Sequence, residues 1–209
     1  MTNGGMMDFY DVATTQRAMR RLKQDPVTDE VLWKILNTAI MAPSGGNAQP
    51  WNFLVVRDDA KKRKIGEWYL DAWNRSYGPN RDAMLANAEM SKTYKSANHL
   101  ANHLADVPVL IIATIKKGMP NISSTLGASI YPAVQNLMLA ARAEGLGTTL
   151  TTLHKLHEGE VKELLGIPDD TETMALIPLG WPKGKFGIPS RLPVEKVVYW
   201  DSWGERRAK

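Results

Sequence analysis

The chain has 209 residues, a formal net charge of +4 and no cysteine. Its length suits one domain, and 44% hydrophobic with 23% charged residues is typical of globular proteins rather than disordered or fibrous ones. The lack of cysteine excludes disulfides, thiolate metal sites and cysteine nucleophiles. No apolar leader and no run near the ~18 apolar residues of a membrane helix stand out, so we expect a cytoplasmic protein without a membrane partner.

Helix signals dominate the first half of the chain. Thr28 caps a predicted helix whose apolar residues recur at the three-and-four spacing of one face. Residues 51–57 follow as a short buried strand. Residues 59–70 and about 82–105 are predicted as helices, separated by the turn signal at residues 77–80.

Four further segments have strand character. The runs 107–115, 145–153 and 173–181 are apolar or rich in β-branched residues, and residues 194–203 alternate enough for an edge strand. Because these strands interleave with helices, the predicted class is α+β with a sheet of four or five strands.

A long helix is predicted from about Ser124 to Glu144, and a short one covers residues 157–165. Gly145 is a natural left-handed stop for the long helix, whereas Pro132 lies inside it as a candidate bend. The middle of this helix is apolar on nearly every side, which predicts that it is covered on all faces, as in the spine of a domain or a dimer.

Three arginines near the N-terminus form the first candidate site. Arg17, Arg20 and Arg21 fall at i, i+3 and i+4, so on a helix they would share one face. Guanidinium groups bind phosphate oxygens in a bidentate way, and Arg191 is a fourth candidate for the same anion. A solvated basic helix face explains the same spacing, and both interpretations stay open on the residues alone.

The stretch APSGGNAQPW at residues 42–51 has more special residues than a plain connection needs. Its glycines let a ligand approach the backbone, and Asn47 and Gln49 carry paired donors and acceptors that suit the edge of a planar heterocycle. A helix-to-strand loop that needs positive φ angles is the alternative interpretation.

The sequence lacks the motifs of several other kinds of site. Neither dinucleotide glycine pattern nor phosphate-binding loop is present, and no G-x-S-x-G nucleophile motif occurs. His99 and His103 are four residues apart, but no H-E-x-x-H signature accompanies them, so we expect no metal site. The aromatic cluster around residues 68–77 is accompanied by Glu67 and Asp71, which argues against nucleic-acid binding.

Taken together in chain order, the arginine segment, the stretch at residues 42–51 and the helices and strands that follow resemble the FMN-dependent nitroreductase family. The resemblance runs from about Ala13 to Trp200, and its most specific parts are APSxxNxQPW and AxxxGLGT. It implies an α/β/α sandwich around a mixed central sheet, spanning residues 8–203 as a single FMN-binding domain. It also implies a domain-swapped, obligate homodimer with two FMN sites at the interface and a C-terminal segment that reaches over the partner.

The resemblance assigns residues to the cofactor. The family opens with a motif close to R-R-S-x-R, whereas this chain has Gln16, Arg17, Ala18, Met19 and Arg20. The resemblance therefore implies that Arg17, Arg20 and Arg191 hold the FMN phosphate and that Gln16 adds a neutral hydrogen bond. The first arginine and the serine of the motif are absent, so a weaker or differently shared grip on the phosphate is expected.

Further cofactor contacts follow from the same resemblance. Pro43, Ser44, Gly45 and Asn47 resemble the loop that contacts the flavin, commonly from the partner subunit, and Gln49 is expected to order that loop. Thr151 and Thr152 resemble the position that donates to flavin N5. His99 and Asn102, on the helix predicted over about 82–105, align approximately with positions that bond the pyrimidine edge.

The implied activity is the ping-pong reduction of a nitroaromatic or quinone-type acceptor with electrons from NADH or NADPH. No catalytic side chain is expected, because the flavin carries the chemistry. Residues 67–95 form a candidate substrate lid over the flavin, in which aromatic residues would choose a small planar acceptor; ordinary helix packing is the alternative. The proposed lid residues are Trp68, Tyr69, Trp73 and Tyr77, with Met84 beside them.

Two other functions stay open. One is a specialised branch of the same fold, either a reductive dehalogenase or a flavin-degrading enzyme, for which Glu67, Tyr69, Lys92 and Lys95 would be lid residues that clasp a charged substrate. The other is a non-catalytic flavin-binding protein, which the altered phosphate motif favours.

Overall fold

The computed structural model describes residues 7–117 and 123–207. The helices within these ranges are α1 Phe9–Thr15, α2 Asp29–Ala39, α3 Asp59–Tyr77, α4 Arg81–Ala86, α5 Ala88–Asn102, α6 Ser123–Ala143 and α7 Glu158–Leu165. The strands are β1 Trp51–Val56, β2 Val109–Lys116, β3 Gly147–Thr148 and β4 Thr171–Gly180. Helices and strands alternate along the chain, which confirms the predicted α+β class.

The four strands form one sheet in the order β1-β2-β4-β3. Neighbouring strands pair antiparallel, with Trp51 opposite Ile115 and Leu176 opposite Ile112. A parallel bridge joins Ala18 to Thr148 at the β3 edge. The edge therefore adds a parallel pairing to an otherwise antiparallel sheet.

Strand β2 shows why helices cover both faces of the sheet. Its consecutive residues point to opposite faces, and Val109 through Ile115 are all buried. Ile111 packs in a cluster with α2 and α6, whereas Ile112 packs in a second cluster with α3, α5 and α7. Each fully buried isoleucine contributes about 1.5–3 kcal/mol, so the two clusters hold the α/β/α sandwich together.

Helix α6 is continuous through Pro132 and is followed by Gly145 at φ +81°, the left-handed stop that was predicted. Its side toward the sheet is fully buried at Ile130, Val134 and Leu137. Its other side is open in the single chain, where Tyr131 is 39% exposed. The prediction that this helix is covered on all faces is therefore not met within one chain. In the described ranges, no helix is long and apolar enough to cross a membrane.

Two predicted strands differ from the observed structure. In the run 145–153 only Gly147 and Thr148 pair as a strand, and Thr151 adds an isolated bridge to Leu176. The tail does not form an edge strand; a short 3-10 turn occupies Val194–Lys196. Its apolar side chains stay in solvent, with Trp203 89% exposed, although β1 is a terminal strand that pairs only with β2 among the described residues.

Candidate functional site

The arginine segment is extended rather than helical, which corrects the predicted shared helix face. Helix α1 ends at Thr15, whose hydroxyl accepts a 3.0 Å hydrogen bond from Arg142 Nε. Beyond it the backbone follows the sheet edge, with the Met19 N–H donating to the Thr148 carbonyl at 2.8 Å and the Lys23 N–H to Trp181 at 2.7 Å. Pairing with the sheet edge supplies these backbone groups with partners that another helical turn would otherwise provide.

The residues of this segment have different surroundings. Gln16 is the C-cap residue of α1, and its N–H donates to the Val12 carbonyl at 2.9 Å. Arg17 is exposed, whereas Arg20 is half-buried. Burial lowers the pKa of Arg20, and nearby Tyr69 partly offsets that effect. Arg20 is thus the cation of this segment that the fold holds inside the protein.

A cavity of about 400 Å³ opens between α3, α4 and α5, and Arg20 lies in its wall. On its aromatic side the rings of Trp73 and Tyr77 stack at 4.5 Å, and Trp73 Nε1 donates to Asn98 Oδ1 at 3.0 Å. We call this space the aromatic cavity; its lining residues are Arg20, Trp73, Tyr77, Met84, Glu89, Met90, Thr93, Tyr94 and Ala97.

The structure divides the four proposed lid residues. Trp73 and Tyr77 line the aromatic cavity, as the lid hypothesis requires. Tyr69 is buried behind it, and Trp68 instead stacks on His157 at 6.4 Å. A covering role for residues 67–95 stays a prediction.

The two threonines after β3 differ in exposure and in hydrogen bonding. Thr151 is tied inward, since its hydroxyl bonds Tyr69 Oη at 3.0 Å and its backbone exchanges two hydrogen bonds with Leu176. Thr152 is exposed, and its carbonyl accepts from the Lys155 N–H at 3.0 Å. Thr151 therefore connects helix α3 to this turn, and Thr152 is the residue that faces outward.

The loop after α2 presents accessible backbone near Gly45 and includes residues with positive φ angles. Asn47 and Gln49 adopt positive φ angles of 52° and 47°, which non-glycine residues rarely do, and Gly46 has φ 58°. Side chains hold this conformation: the Gln49 N–H donates to Ser44 Oγ at 3.0 Å, and Gln49 Nε2 donates to Asn47 Oδ1 at 3.3 Å. A Cβ added at Gly45 would meet only open space, so the backbone there is accessible.

This loop borders a different cavity from that of Arg20. Pro43, Ser44 and Gly45 line a space of about 480 Å³ together with Lys116 and the α6 residue Ser129, among others. None of the arginine, threonine or lid candidates lines that space. Within one chain the sequence-predicted contacts thus fall into two separate groups.

His99 and Asn102 lie in a third location, on the face of α5 toward Arg21. A cavity of about 570 Å³ there adjoins a recess of about 200 Å³ that reaches Arg20 and Lys183. We call the two together the basic cleft. The first is lined by Arg21, Lys95, Asn98, His99, Asn102 and His103, and the recess by Arg20, Leu22, Gln24, His99, His103, Asp106, Val107 and Lys183.

Positive charge prevails in the basic cleft. The His99 and His103 rings lie 4.4 Å apart, and Asp106 bonds His103 Nδ1 at 2.9 Å. Burial lowers the pKa of His99, and the positive charge of Arg21 lowers it further. Sequence reasoning considered the two histidines as metal ligands and placed His99 at the pyrimidine edge of the flavin, but it did not predict a basic cleft. The i, i+4 spacing of Lys95, His99 and His103 was the available signal for a basic helix face.

Arg191 is not brought to the other candidates in this chain. It is exposed in the tail, its guanidinium donates to the carbonyl of its neighbour Ser190 at 2.8 Å, and it lines none of the cavities described above.

Sequence reasoning also missed two histidines after Thr152. His154 is 1% exposed, and neither of its ring nitrogens has a hydrogen-bond partner among the described residues. Burial, with a smaller contribution from Lys155, lowers the pKa of His154 to about 4. His157 bridges Asp71 of α3 at 2.7 Å and Glu160 of α7 at 3.1 Å, and these carboxylates raise its pKa, Asp71 most.

The His157 bridge predicts a pH-dependent tie between α3 and α7. Because the folded-state pKa is raised, the stabilisation is fully present below the unfolded value of ~6.5 and is lost as pH rises through the folded value. We expect His157→Gln to lower the melting temperature at pH 6 and to have a smaller effect at pH 9. Thermal unfolding at both pH values measures this, and an equal loss at both would contradict it.

The chain is similar to proteins of known family. The nitroreductase family profile matches residues 13–181. A Thermus thermophilus protein named NADH dehydrogenase is 30% identical, over 93% of this chain and 97% of that protein. The 5,6-dimethylbenzimidazole synthase of Rhodospirillum rubrum is 29% identical over 83% of this chain and 82% of that protein.

A solved structure gives the same result. Oxidized iodotyrosine deiodinase, bound to FMN and 3-iodo-L-tyrosine, superposes with a TM-score of 0.75 at 25% identity, covering 94% of this chain and all of that chain. The fold and the family profile together define a nitroreductase-like oxidoreductase. The chain belongs to the nitroreductase family.

Proposed function

We propose that the protein is an FMN-dependent oxidoreductase that uses NADH or NADPH to reduce a planar nitroaromatic or quinone-type acceptor in a ping-pong reaction. The observation that carries the proposal is the aromatic cavity with Arg20 in its wall. A flat electron acceptor needs apolar ring surface on which to stack and a cofactor within reach. When bound, FMN would supply the electron transfer between the two substrates.

The residues present fit FMN. Arg17 and Arg20 offer guanidinium donors for the phosphate, and Gln16 adds a neutral donor beside them. The accessible backbone of the loop at residues 43–47 suits the edge of a flat ring, since a side chain at Gly45 would occupy open space. Thr152, exposed after β3, would present its donors to the ring, and Arg191 would add a further cation to the phosphate.

Two copies of the chain are needed to complete such a site. The loop at residues 43–47 and the arginine segment line different cavities of one chain. The open side of α6, with Tyr131, and the apolar tail, with Trp203, both lack cover. A homodimer in which one copy's loop meets the other's Arg20 would bury these surfaces and join the two groups.

In this arrangement the chain binds the cofactor, orients the acceptor and excludes water. Arg20 would fix the cofactor, while the Trp73 and Tyr77 rings hold the acceptor flat and keep water from it. The hydrogen bond between Tyr69 and Thr151 holds α3 against the turn that carries Thr152. No side chain is assigned a proton-transfer role.

The dehalogenating alternative finds less support. Its lid residues would have to meet at the cavity, but Glu67 pairs with Lys64 at 2.8 Å on the exposed side of α3 and Tyr69 is buried. Lys95 lines the basic cleft instead. The four lid residues of that alternative therefore do not meet at the aromatic cavity, although Glu89 and Arg20 both line it.

An anaerobic absorption titration tests the proposal. The purified protein, reconstituted with FMN, should bleach near 450 nm on addition of NADPH or NADH and regain its colour with a nitroarene or quinone. A flavin that binds but does not bleach would indicate a binding protein instead. Failure to bind FMN would refute the proposal.

The acceptor role of the aromatic cavity gives a separate prediction. We expect Tyr77→Ala to raise KM for a nitroarene about three- to tenfold, because an aromatic pair contributes ~0.5–1.5 kcal/mol. The KM for the nicotinamide donor should change less. Trp68→Ala, on the same helix but outside the cavity, is the matched control; steady-state kinetics that respond equally to both variants would contradict the assignment.

A further inference from the structure

We propose that the basic cleft binds the phosphate groups of the nicotinamide donor and that it favours NADPH over NADH. The proposal rests on the proposed function, since it concerns the electron donor of that reaction. It adds a donor-binding site, at residues that had been assigned to the pyrimidine edge of the flavin or left without a role.

The cations of the cleft lack counter-ions. Within residues 7–117 and 123–207, Arg21, Lys95 and Lys183 form no salt bridge, and Arg20 is left aside because its charge is assigned to the FMN phosphate. Many other cations of the chain do, among them Arg57 with Asp29 at 2.5 Å. Like charges that converge in a concave space repel each other unless an anion lies between them.

One carboxylate of the described residues, Asp106, lines the cleft against the four cations Arg20, Arg21, Lys95 and Lys183, so the sum of these charges is positive. Asp106 is bonded to His103, and it lines the recess rather than the larger cavity. The cleft also has neutral donors, the amides of Asn98 and Asn102 and the ring of His99. Guanidinium, ammonium, amide and imidazole groups together are the donor set that phosphate oxygens accept.

The position of the cleft points to the donor rather than the acceptor. Arg20 lines both the recess and the aromatic cavity, so the two spaces meet at that residue. A ligand that spans them needs a flat ring at one end and a polyanion at the other. Nicotinamide dinucleotides have both parts, whereas simple nitroarenes and quinones lack the polyanion. FMN has both parts too, so retention of FMN by variants of the cleft distinguishes the two ligands.

The extra phosphate of NADPH sets the preference. The pyrophosphate is common to NADH and NADPH and cannot discriminate between them. A phosphate monoester adds about −1.5 to −2 charge near pH 7. Arg21 and Lys95 line the space of about 570 Å³ and Lys183 lines the adjoining recess, and these cations stabilise that additional charge.

The first test is a direct binding measurement on the FMN-loaded protein. Calorimetric titration with adenosine 2′,5′-bisphosphate should show binding at least about tenfold tighter than with 5′-AMP. Arg21→Ala and Lys183→Ala should each weaken the bisphosphate about tenfold, because each removes a charge-assisted contact. The backbone link between these residues, from the Lys183 N–H to the Arg21 carbonyl at 2.9 Å, needs neither side chain, so both variants should fold.

Lys185→Ala is the matched control, because Lys185 is exposed in the same segment but does not line the cleft. Stopped-flow reduction should then show a lower apparent affinity for NADPH in the two cleft variants and little change for NADH. Equal loss in all three variants, or equal binding of the two nucleotides, would overturn the proposal.

The remaining outcomes separate this inference from the proposed function. If Arg21→Ala or Lys183→Ala releases FMN, seen as a lower 450 nm to 280 nm ratio, the cleft belongs to the FMN phosphate and the inference is wrong. If the bisphosphate binds in the cleft but neither NADPH nor NADH bleaches the flavin, the proposed reductase function fails while the phosphate site stands.

Discussion

Replacement of Arg20 by alanine is expected to weaken FMN binding about 10- to 100-fold. Arg20 is the half-buried cation of the N-terminal segment, and a hydrogen bond to a charged group contributes ~1.5–3 kcal/mol. The first arginine and the serine of the family motif are Gln16 and Ala18 in this chain, so fewer groups share the phosphate. Fluorescence titration of the apoprotein with FMN measures the dissociation constant.

Two further variants make this test specific. Arg20→Lys keeps the charge but loses the bidentate fork, so an intermediate dissociation constant is expected. Arg63→Ala removes an exposed arginine of α3 and should leave FMN binding unchanged. Unchanged FMN affinity in Arg20→Ala, with the same melting temperature, would show that Arg20 does not hold the cofactor.

Acid should destabilise the protein through His154. Its pKa is about 4 in the folded protein and ~6.5 when unfolded, so the unfolded chain binds more protons below pH 6.5. Stability is therefore lost as pH falls from ~6.5 toward 4, and the loss amounts to about 2 kcal/mol at pH 5. Removal of the imidazole should abolish this component.

We expect His154→Phe to gain about 2 kcal/mol of unfolding free energy relative to wild type when the pH is lowered from 7.5 to 5. Comparison of the two pH values cancels the effect of the substitution on packing. Urea unfolding at both values measures the difference, and His103→Gln, at an exposed histidine, is the control. A wild-type and variant pair with parallel pH profiles would show that His154 finds a partner or a water in the folded protein.

The sequence pattern predicted β2 and α6 because each buries apolar residues at the regular spacing of a strand or a helix. The run 107–115 became β2 at Val109–Lys116, and the predicted helix of 124–144 became α6 at Ser123–Ala143. Strand β2 is apolar on both faces, and for that reason helices cover both faces of the sheet. The extent of the single domain, residues 8–203, stays a prediction.

The errors fall where long-range pairing decides the backbone. Arg17 and Arg20 have helical spacing, yet their segment lies along the sheet edge, because the Met19 N–H bonds to Thr148, more than a hundred residues away. The tail around Trp203 has strand-like alternation, yet it pairs with no strand of the described residues, and the Trp203 side chain is 89% exposed. Periodicity states what a segment can form, whereas the available partner decides what it does form.

The sequence by itself determined the residue types of the candidate site: guanidinium groups near the N-terminus, a loop with accessible backbone at Gly45, and hydroxyls after β3. Only the tertiary structure decided their grouping. It set Arg20 beside the Trp73 and Tyr77 rings, separated the loop into another cavity, and brought Arg21 and Lys183 to His99 and His103 at the end of α5. Local spacing carries no information about which distant segments meet, because that depends on how the two faces of the sheet bury their helices.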